Sequence, residues 1–491
     1  MHHQAGCGSG QPDDARLRRL TVAALHDLTL LEQAAAVRDR SVSPVELVEH
    51  YLERIGRLSD TVGAFVTVTS DTALDGARAA EKAVADGEEL APLHGVPTAI
   101  KDLNLVAGAP TRFGTSAWPA ADLGIDDAVT TKLRAAGLIN LGKTNTPEFG
   151  LPCYTEPDVA PPARTPWDLE RSAGGSSGGA AAAVSSGLVP AAQGSDGGGS
   201  IRIPASVCGL FGIKPSRGRV SNAPVSAEIS GLAVNGPLAR TVRDAAALLD
   251  AMAGPAPSDW QWAPPPVTSF LAACDEPAGK LRIGRFASPV IADATVHPDC
   301  VAAYEKASAL LADLGHDVVD HIPTFTGDLV PAFETVWSQE FLSLPLSDDD
   351  ELRVRPLTRW IRERGRSATG RQVYAALATL RQAARVELEA TYGYDAVLTP
   401  TLAQPPALVG GLRDDDDPAA DFEAQKRFTP FTAPYNMSGQ PAVTVPLHWT
   451  DAGLPIGIQL VGRPYGEATL LRIAAQLEEA EPWAARRPAL W

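Results

Sequence analysis

The sequence predicts an α/β fold in which helices are layered around a largely buried sheet. Short apolar segments alternate with segments of helical periodicity along most of the chain. Of the 491 residues, 45% are hydrophobic, which is enough to form a large buried core. The alternation is not interrupted by any run of about 18 apolar residues, so no transmembrane helix is predicted.

The N-terminal part is predicted to be a tail followed by two capped helices. Residues 1–20 lack the apolar segment of a signal peptide and are expected to be flexible. Thr29 with Glu32, and Ser43 with Glu46, both match the capping box that opens a helix. Residues 21–491 are expected to form a single domain.

The remaining elements follow from apolar runs and helix-terminating glycines. In chain order they are a strand over 96–101, a helix over 127–136, a strand over 138–141, a β-α-β unit formed by 281–286, 298–314 and a strand near Val318, and late strands over 395–398, 442–445 and 456–461. Residues 325–392 interrupt this alternation with a helical stretch and are interpreted as a helical insertion near the substrate pocket.

Net charge and cysteine content limit the classes of binding partner and the cellular compartment that the sequence predicts. The formal net charge of −17 argues against nucleic-acid and anionic-membrane partners, which require basic surfaces. The five cysteines are widely spaced, contain no CxxC pair and are interpreted as reduced thiols of a cytoplasmic protein. The acidic runs Asp348–Glu351 and Asp414–Asp417 lack the alternating ligand spacing of a calcium loop, so neither a metal nor another cofactor is predicted.

One motif match resembles a nucleotide-binding loop but is rejected. Residues Gly137–Thr144 fit the P-loop pattern letter for letter. A P-loop requires a strand before it and a helix after it, whereas here a helix comes first and the motif contains the apolar strand 138–141. Pro147 also leaves little room for the following helix.

A second match, Gly175–Gly179, fits the G-x-S-x-G nucleophile elbow with Ser177 as the central serine. The residues before it do not form a convincing strand. A Ser-His-Asp triad would also need a downstream histidine. The candidates are His297, His316, His321 and His448. His316 at a helix-to-strand turn and His448 just past a strand are both consistent with ordinary surface residues.

The segment Gly174–Pro204 is the strongest candidate for catalytic chemistry. It is rich in Gly, Ala and Ser, but it encloses a helical segment near 180–186, which a flexible linker would not do. Gly197, Gly198 and Gly199 directly precede Ser200. Such a turn can direct successive N–H groups at one point while the serine attacks a carbonyl group.

This segment resembles the signature of the amidase signature family, and the similarity extends from about Leu28 to the C-terminus. Further matching blocks occur in order at Leu93–Asp102, Gly142–Glu148, Cys208–Pro215, Gly236–Arg243 and Asn436–Pro441. The resemblance implies a large central mixed β-sheet flanked by α-helices on both faces. Two C-terminal blocks, Phe431–Asn436 and Pro482–Pro488, look similar to bacterial aryl acylamidases and to hydrolases of nylon oligomers and cyclic dimers.

The resemblance also implies roles for individual residues. Ser200 would be the nucleophile. Ser176, the residue that follows a cis peptide bond, would relay the proton of Ser200, and Lys101 would be the base. The oxyanion hole would be formed by the N–H groups of Gly197, Gly198, Gly199 and Ser200. Asp196 and Arg202 would support the glycine turn, and Ser177 would help to orient the relay.

A lysine base must be neutral near pH 7, whereas a free lysine titrates near pH 10.4. Burial has to lower its pKa by about 3 units, roughly 4 kcal/mol, because the acidic field of the whole protein acts in the opposite direction. Lys101 ends the apolar strand 96–101, so a buried, neutral Lys101 is predicted.

Three functions are compatible with the sequence. The first is an amidase acting on a small apolar or aryl amide through an acyl-enzyme, with ester or carbamate side activity, as a monomer or homodimer. Its pocket wall is expected from the loop Phe149–Glu156 and the 325–392 insertion. The second is the glutamine-hydrolysing subunit of a tRNA-dependent amidotransferase. The third, a non-catalytic binding protein, is disfavoured because Lys101, Ser176 and Ser200 are all present.

Overall fold

The structure, a computed structural model, describes residues 24–224, 226, 229–325 and 329–491. The predicted N-terminal tail therefore lies outside the described residues. The α/β class and the large mixed sheet predicted from the sequence are confirmed.

Eleven strands form one continuous sheet. They are β1 (Phe65–Val68), β2 (Pro97–Lys101), β3 (Ile139–Thr144), β4 (Ala191–Asp196), β5 (Phe211–Lys214), β6 (Val234–Ala239), β7 (Arg282–Arg285), β8 (Asp317–Asp320), β9 (Ala396–Pro400), β10 (Ala442–Trp449) and β11 (Pro455–Gly462). Their order across the sheet is β1-β3-β2-β4-β6-β5-β10-β11-β9-β7-β8. Strands β3, β2 and β4 run parallel to one another, as do β9, β7 and β8. From β4 across the sheet to β9, each pair of neighbouring strands is antiparallel.

The described residues also form sixteen α-helices. They are α1 (Leu30–Arg38), α2 (Pro44–Val62), α3 (Ser70–Asp86), α4 (Ala128–Ala135), α5 (Gly178–Ser185), α6 (Arg202–Cys208), α7 (Val242–Met252), α8 (Phe270–Ala273), α9 (Pro298–Asp313), α10 (Leu329–Leu342), α11 (Asp348–Glu351), α12 (Pro356–Ser367), α13 (Gly370–Ala390), α14 (Pro418–Phe428), α15 (Pro434–Ser438) and α16 (Glu467–Ala480).

The central strands contribute alternate side chains to two apolar cores. Ile100 of β2 and Ala191 of β4 belong to the core that includes α7, α9 and α16. Their neighbours Ala99 and Ala192 belong to the core that includes α2, α5 and α6. Because successive side chains of a strand point to opposite faces, this division shows that the central strands are covered by helices on both sides.

Several sequence-based boundaries are confirmed. Thr29 and Ser43 cap α1 and α2, and Thr29 forms the reciprocal capping box with Glu32. The segments β7, α9 and β8 form the predicted parallel β-α-β unit. Strand β3 extends to Thr144, past the predicted end at Leu141, because its polar residues find buried partners. In particular, Lys143 pairs with Asp102 at 3.0 Å.

Four helices, α10 to α13, occupy residues 329–390. The acidic run Asp348–Glu351 is itself a short helix, capped by Ser347. Within the described ranges, no helix is long and apolar enough to cross a membrane. The four described cysteines, Cys153, Cys208, Cys274 and Cys300, are free thiols.

Candidate active site

The candidate residues meet at the carboxyl ends of two neighbouring parallel strands. Strand β2 ends at Lys101, and β4 ends at Asp196. The glycine turn and Ser200 follow β4 directly and lead into α6, while Ser176 lies just before α5. The pairing of β2 with β4 therefore brings residues that are 75 or more positions apart to one edge of the sheet.

Lys101 contacts two serine hydroxyl groups. Its Nζ lies 2.7 Å from Ser176 Oγ and 3.0 Å from Ser195 Oγ. The Lys101 side chain is buried, and Ser176 is 2% exposed. The peptide bond between Gly175 and Ser176 is cis, as the resemblance implied. This arrangement provides a direct hydrogen bond between the amine and the Ser176 hydroxyl.

The surroundings of Lys101 favour its neutral form. Burial lowers its pKa to about 7, and the charge of Asp196 opposes this shift without cancelling it. The adjacent carboxylate of Asp102 is engaged elsewhere, because it accepts hydrogen bonds from Lys143 Nζ at 3.0 Å and from the Arg112 N–H at 2.9 Å. The acid nearest in sequence to Lys101 is thus paired with a different lysine.

Asp196 and Arg202 form a buried ion pair behind the glycine turn. Arg202 donates from Nε at 3.0 Å and from its terminal nitrogen at 2.9 Å to the two oxygens of Asp196. Arg202 also donates to the Thr432 carbonyl oxygen and to Gln459 Oε1. Burial acts to raise the pKa of Asp196, but the charge of Arg202 outweighs this and holds the pKa below its ordinary value. A charged carboxylate is therefore maintained under the turn.

The peptide group between Gly198 and Gly199 is hydrogen-bonded through both its N–H and its carbonyl. The Gly199 N–H donates to Asp196 Oδ1 at 2.8 Å, and the Gly198 carbonyl accepts from the Thr432 hydroxyl at 2.6 Å. Gly199 has φ of +135°, and an added Cβ would lie 2.5 Å from the Thr432 hydroxyl oxygen. Because its N–H is engaged by the carboxylate, Gly199 does not supply the oxyanion donor expected from the sequence. Among the described residues, the N–H groups of Gly197, Gly198 and Ser200 donate to no backbone carbonyl.

Ser177 supports the site through Ser195. Its hydroxyl donates to the Ser195 carbonyl oxygen at 3.1 Å and accepts from the Ser195 N–H at 3.2 Å. The Ser177 N–H also donates to the Ser200 carbonyl oxygen at 3.2 Å. Ser177 thus ties the start of α5 to both sides of the glycine turn, and its hydroxyl is engaged by the Ser195 backbone.

Two cavities meet at Ser200. The relay cavity, about 180 Å³, is lined by Ser176, Ser195, Gly197, Phe149, Phe341 and Leu344, among others. The side cavity, about 60 Å³, is lined by Gly198, Ile291, Phe333, Phe422 and Lys426, among others. Ser200 and Trp337 line both. A larger surface cavity of about 1070 Å³, around His297, Gln404 and Arg427, contains none of the candidate residues.

Trp337 of α10 stands between the two cavities. Its ring stacks on Phe333 with centroids 5.4 Å apart and meets Phe341 edge-on at 5.1 Å. A Cβ added at Gly197 would lie 3.4 Å from the same indole ring. Residues 149–153 of the loop predicted for the pocket wall complete the walls of these cavities.

The four histidines that could have served a Ser-His-Asp triad are placed elsewhere. His297 caps α9, and His316 accepts from the Leu281 N–H at 3.2 Å. His321 lies 3.5 Å from Glu387, and His448 lies in β10 opposite Ile456. Of the described residues that line the two cavities at Ser200, none is a histidine. Likewise, the described part of the chain contains no group of three or more His, Cys, Asp or Glu side chains placed to hold a metal ion.

Two polar residues that organise the site, Gln193 and Ser195, are not predicted from the sequence. Gln193 accepts from the Lys101 N–H at 2.9 Å and donates to the side-chain oxygens of Asn104 and Asn235. Ser195, two residues later, is the second hydroxyl at the Lys101 amine. The one signal in the sequence is a glutamine among small residues, since an amide that becomes buried requires several partners.

Glu148 was also missed as an organising residue. Its buried carboxylate accepts from the hydroxyls of Thr115 at 2.7 Å and Thr358 at 2.5 Å, and from the Arg355 N–H at 2.8 Å. Burial raises its pKa, and these hydrogen bonds oppose that shift. Glu148 immediately precedes Phe149, so it fastens α12 to the cavity wall.

The chain is similar to known proteins along most of its length. The sequence matches the family model described as Amidase over residues 46–471. It is 37% identical over 487 residues to the 6-aminohexanoate-cyclic-dimer hydrolase of Paenarthrobacter ureafaciens, covering 93% of this chain and 96% of that protein.

Two solved structures extend the agreement to the fold. The structure of 6-aminohexanoate cyclic dimer hydrolase complexed with substrate superposes with a TM-score of 0.86 at 34% identity, covering 95% of this chain and all of that one. A bacterial aryl acylamidase superposes with a TM-score of 0.85 at 27% identity, covering 94% of this chain and all of that one. The chain therefore belongs to the amidase signature family and is an amide-cleaving hydrolase.

Proposed function

We propose that this enzyme hydrolyses small apolar or aryl amides through an acyl-enzyme on Ser200, with Ser176 and Lys101 as its proton relay. The observation that supports this most strongly is the 2.7 Å contact between Ser176 Oγ and a buried Lys101 amine whose pKa lies at about 7. A general base works best when its pKa is near the working pH, and this amine meets that condition.

In the acylation step, Ser200 Oγ bonds to the carbonyl carbon. Its proton passes to Ser176 as the Ser176 proton passes to neutral Lys101. The carbonyl oxygen, now negatively charged, accepts hydrogen bonds from the N–H groups of Gly197, Gly198 and Ser200. The C–N bond then breaks, and the proton returns from Lys101 through Ser176 to the leaving nitrogen. In deacylation, water attacks the ester by the same path and releases the carboxylic acid.

The cavity walls support an apolar substrate. Phe149, Phe341 and Trp337 line the relay cavity together with Leu103, Leu232 and Leu344. The relatives reported above include an aryl acylamidase and a hydrolase of a cyclic amide dimer. Esters and carbamates present the same carbonyl geometry, so side activity on both classes is part of the proposal. The cytoplasmic location and the monomeric or homodimeric state remain predictions.

The alternative of a glutamine-hydrolysing subunit is not favoured. Glutamine carries an ammonium and a carboxylate group that both require charged partners. Lys426, the lysine in the side cavity, is already paired with Glu334 at 2.6 Å and with Glu423. The described residues that line the two cavities include no other lysine or arginine, so the carboxylate of glutamine would be buried without a counter-charge.

The test is acyl transfer to Ser200 from 4-nitroacetanilide and 4-nitrophenyl acetate. Wild type is expected to release 4-nitroaniline, and mass spectrometry should find one acetyl group on the peptide that contains Ser200. Ser200→Ala should lose at least roughly 10³-fold in kcat/KM.

His448→Ala is the control, because a histidine-based triad would require such a residue. This variant should retain both the anilide activity and the acetyl adduct. Amide hydrolysis that survives in Ser200→Ala, or an adduct on another serine, would refute the proposal.

A further inference from the structure

Two side chains from the C-terminal part of the chain hydrogen-bond to backbone carbonyls of the glycine turn. Asn436 Nδ2 donates to the Asp196 carbonyl oxygen at 2.9 Å, and the Thr432 hydroxyl donates to the Gly198 carbonyl oxygen at 2.6 Å. Both side chains are buried. They lie 240 and 234 positions after the carbonyls that they bind, so tertiary packing alone brings them to the turn.

A hydrogen bond to a peptide carbonyl also fixes the direction of the N–H in the same peptide group. In a planar trans peptide the C=O and N–H bonds point in opposite directions, and the peptide bonds of this turn are trans. The hydrogen bond at the Asp196 carbonyl therefore directs the Gly197 N–H away from α15. The Gly199 carbonyl accepts from the Ile203 N–H at 2.7 Å, which directs the Ser200 N–H away from α6 in the same way.

The Gly198 N–H belongs to the peptide group between these fixed ones. The carbonyl of that group, which is the Gly197 carbonyl, accepts from no backbone N–H among the described residues. Its orientation is set by its neighbours, one held by Asn436 and the other held by Thr432 and by Asp196 Oδ1. Because glycine imposes little steric restriction on backbone rotation, this orientation depends on those hydrogen bonds.

The residues that carry these N–H groups line the cavities at the nucleophile. Gly197 lines the relay cavity, Gly198 lines the side cavity, and Ser200 lines both. Thr432 and Asn436 line neither cavity. Any influence of these two side chains on a bound substrate must therefore pass through the glycine turn.

We propose that Thr432 and Asn436 are positioning residues of the oxyanion hole, because they hold the turn so that its free N–H groups point at the substrate carbonyl oxygen. The proposal rests on the proposed function, in which Ser200 attacks that carbonyl. Negative charge develops on the oxygen as the bond from Ser200 Oγ forms. Donors that are already aimed at this oxygen need not reorganise during the reaction. Neither positioning residue transfers a proton or forms a bond to the substrate.

Replacing the substrate carbonyl oxygen by sulfur distinguishes this role from a purely structural one. Sulfur is a weak hydrogen-bond acceptor, so a thionoester gains little from an oxyanion hole. The two substrates are 4-nitrophenyl acetate and O-4-nitrophenyl thionoacetate, in which C=S replaces C=O. The measured quantity is the oxo-to-thiono ratio, defined as kcat/KM for the oxygen ester divided by kcat/KM for the sulfur ester.

Thr432→Val removes the hydroxyl and keeps the branched shape of the side chain. Since complete loss of one oxyanion donor costs roughly 10²- to 10³-fold, this variant should lower kcat/KM for 4-nitrophenyl acetate by about 10- to 10²-fold and the oxo-to-thiono ratio by about tenfold. Thr432→Ser keeps a hydroxyl and should retain both values within about threefold of wild type. Asn436→Ala should also lower the ratio. If Thr432→Val does not fold, Thr432→Cys, whose thiol is a weak donor, should lower the ratio in the same direction.

Thr444→Val is the matched control. Thr444 is also buried, and its hydroxyl donates to the Arg202 carbonyl oxygen at 3.2 Å, which lies in α6 and not in the glycine turn. Loss of this hydrogen bond should lower Tm, since it leaves a buried carbonyl without that donor. The oxo-to-thiono ratio of Thr444→Val should nevertheless stay within about twofold of wild type, because the oxyanion donors keep their direction.

An unchanged oxo-to-thiono ratio in folded Thr432→Val would overturn the inference, as would an equal fall of this ratio in Thr444→Val. In both cases acetylation of Ser200 would still support the proposed function. Absence of that acetyl adduct in wild type would instead refute the proposed function itself.

Discussion

The pH dependence of catalysis gives a direct test of Lys101 as the base. The difference between an ordinary lysine pKa of 10.5 and the value of about 7 set by burial corresponds to about 5 kcal/mol. At pH 7 an ordinary lysine is neutral in roughly 3 molecules of 10,000, whereas Lys101 is neutral in about half. Burial therefore increases the population of competent base by about 10³-fold.

The sign of the pH effect follows from the protonation state. Lowering the pH protonates Lys101, so kcat/KM for 4-nitroacetanilide should fall about tenfold per pH unit below pH 7 and level off above pH 8. Lys101→Ala should lose about 10²- to 10⁴-fold in kcat/KM. It should also lack the fall in kcat/KM below pH 7, which is the acid limb of the pH profile. The assay is the release of 4-nitroaniline between pH 5 and pH 10 in buffers of constant ionic strength.

Lys214 provides a matched control for this experiment. Burial also lowers its pKa to about 7, but its Nζ donates to the Pro215 carbonyl oxygen at 2.9 Å and it lines neither cavity. Lys214→Met should therefore keep an acid limb near pH 7. A limb centred near pH 10 in wild type, a limb that disappears in Lys214→Met, or nearly full activity in Lys101→Ala would refute the reasoning.

Three further predictions concern the support of the site. Arg202→Met leaves Asp196 buried without its counter-charge and should lower the free energy of unfolding by about 3–5 kcal/mol, measured by urea denaturation. Gly199→Ala places a Cβ against Thr432 at positive φ and should lower both Tm and kcat; an unchanged Tm would contradict the tight packing. Glu148→Ala leaves two hydroxyls and one N–H without their acceptor and should cost about 1–3 kcal/mol per group in denaturation experiments, with a rise in KM as α12 detaches from the cavity wall.

Local patterns in the sequence were sufficient for many elements of this fold. The caps at Thr29 and Ser43, the β-α-β unit and the apolar strand ending at Lys101 depend on residues close in sequence, and each is present. By contrast, β4 was not predicted, because polar Gln193 interrupts its apolar pattern. Its partners Asn104 and Asn235 come from distant parts of the chain and cannot be read from local periodicity.

In the candidate site, too, some features were predicted from the sequence and others depend on the tertiary structure. The glycine turn before Ser200 and the three residues of the proposed relay were identified from the sequence, since their residue types and order resemble the family signature. The proximity of Lys101 to Ser176 and Ser195, the engagement of the Gly199 N–H by Asp196 and the separation of two cavities by Trp337 were decided by the tertiary structure. The physical reason is that residue type and spacing determine which local structures can form, whereas pKa, donor direction and cavity size depend on strand pairing and helix packing between segments far apart in the chain.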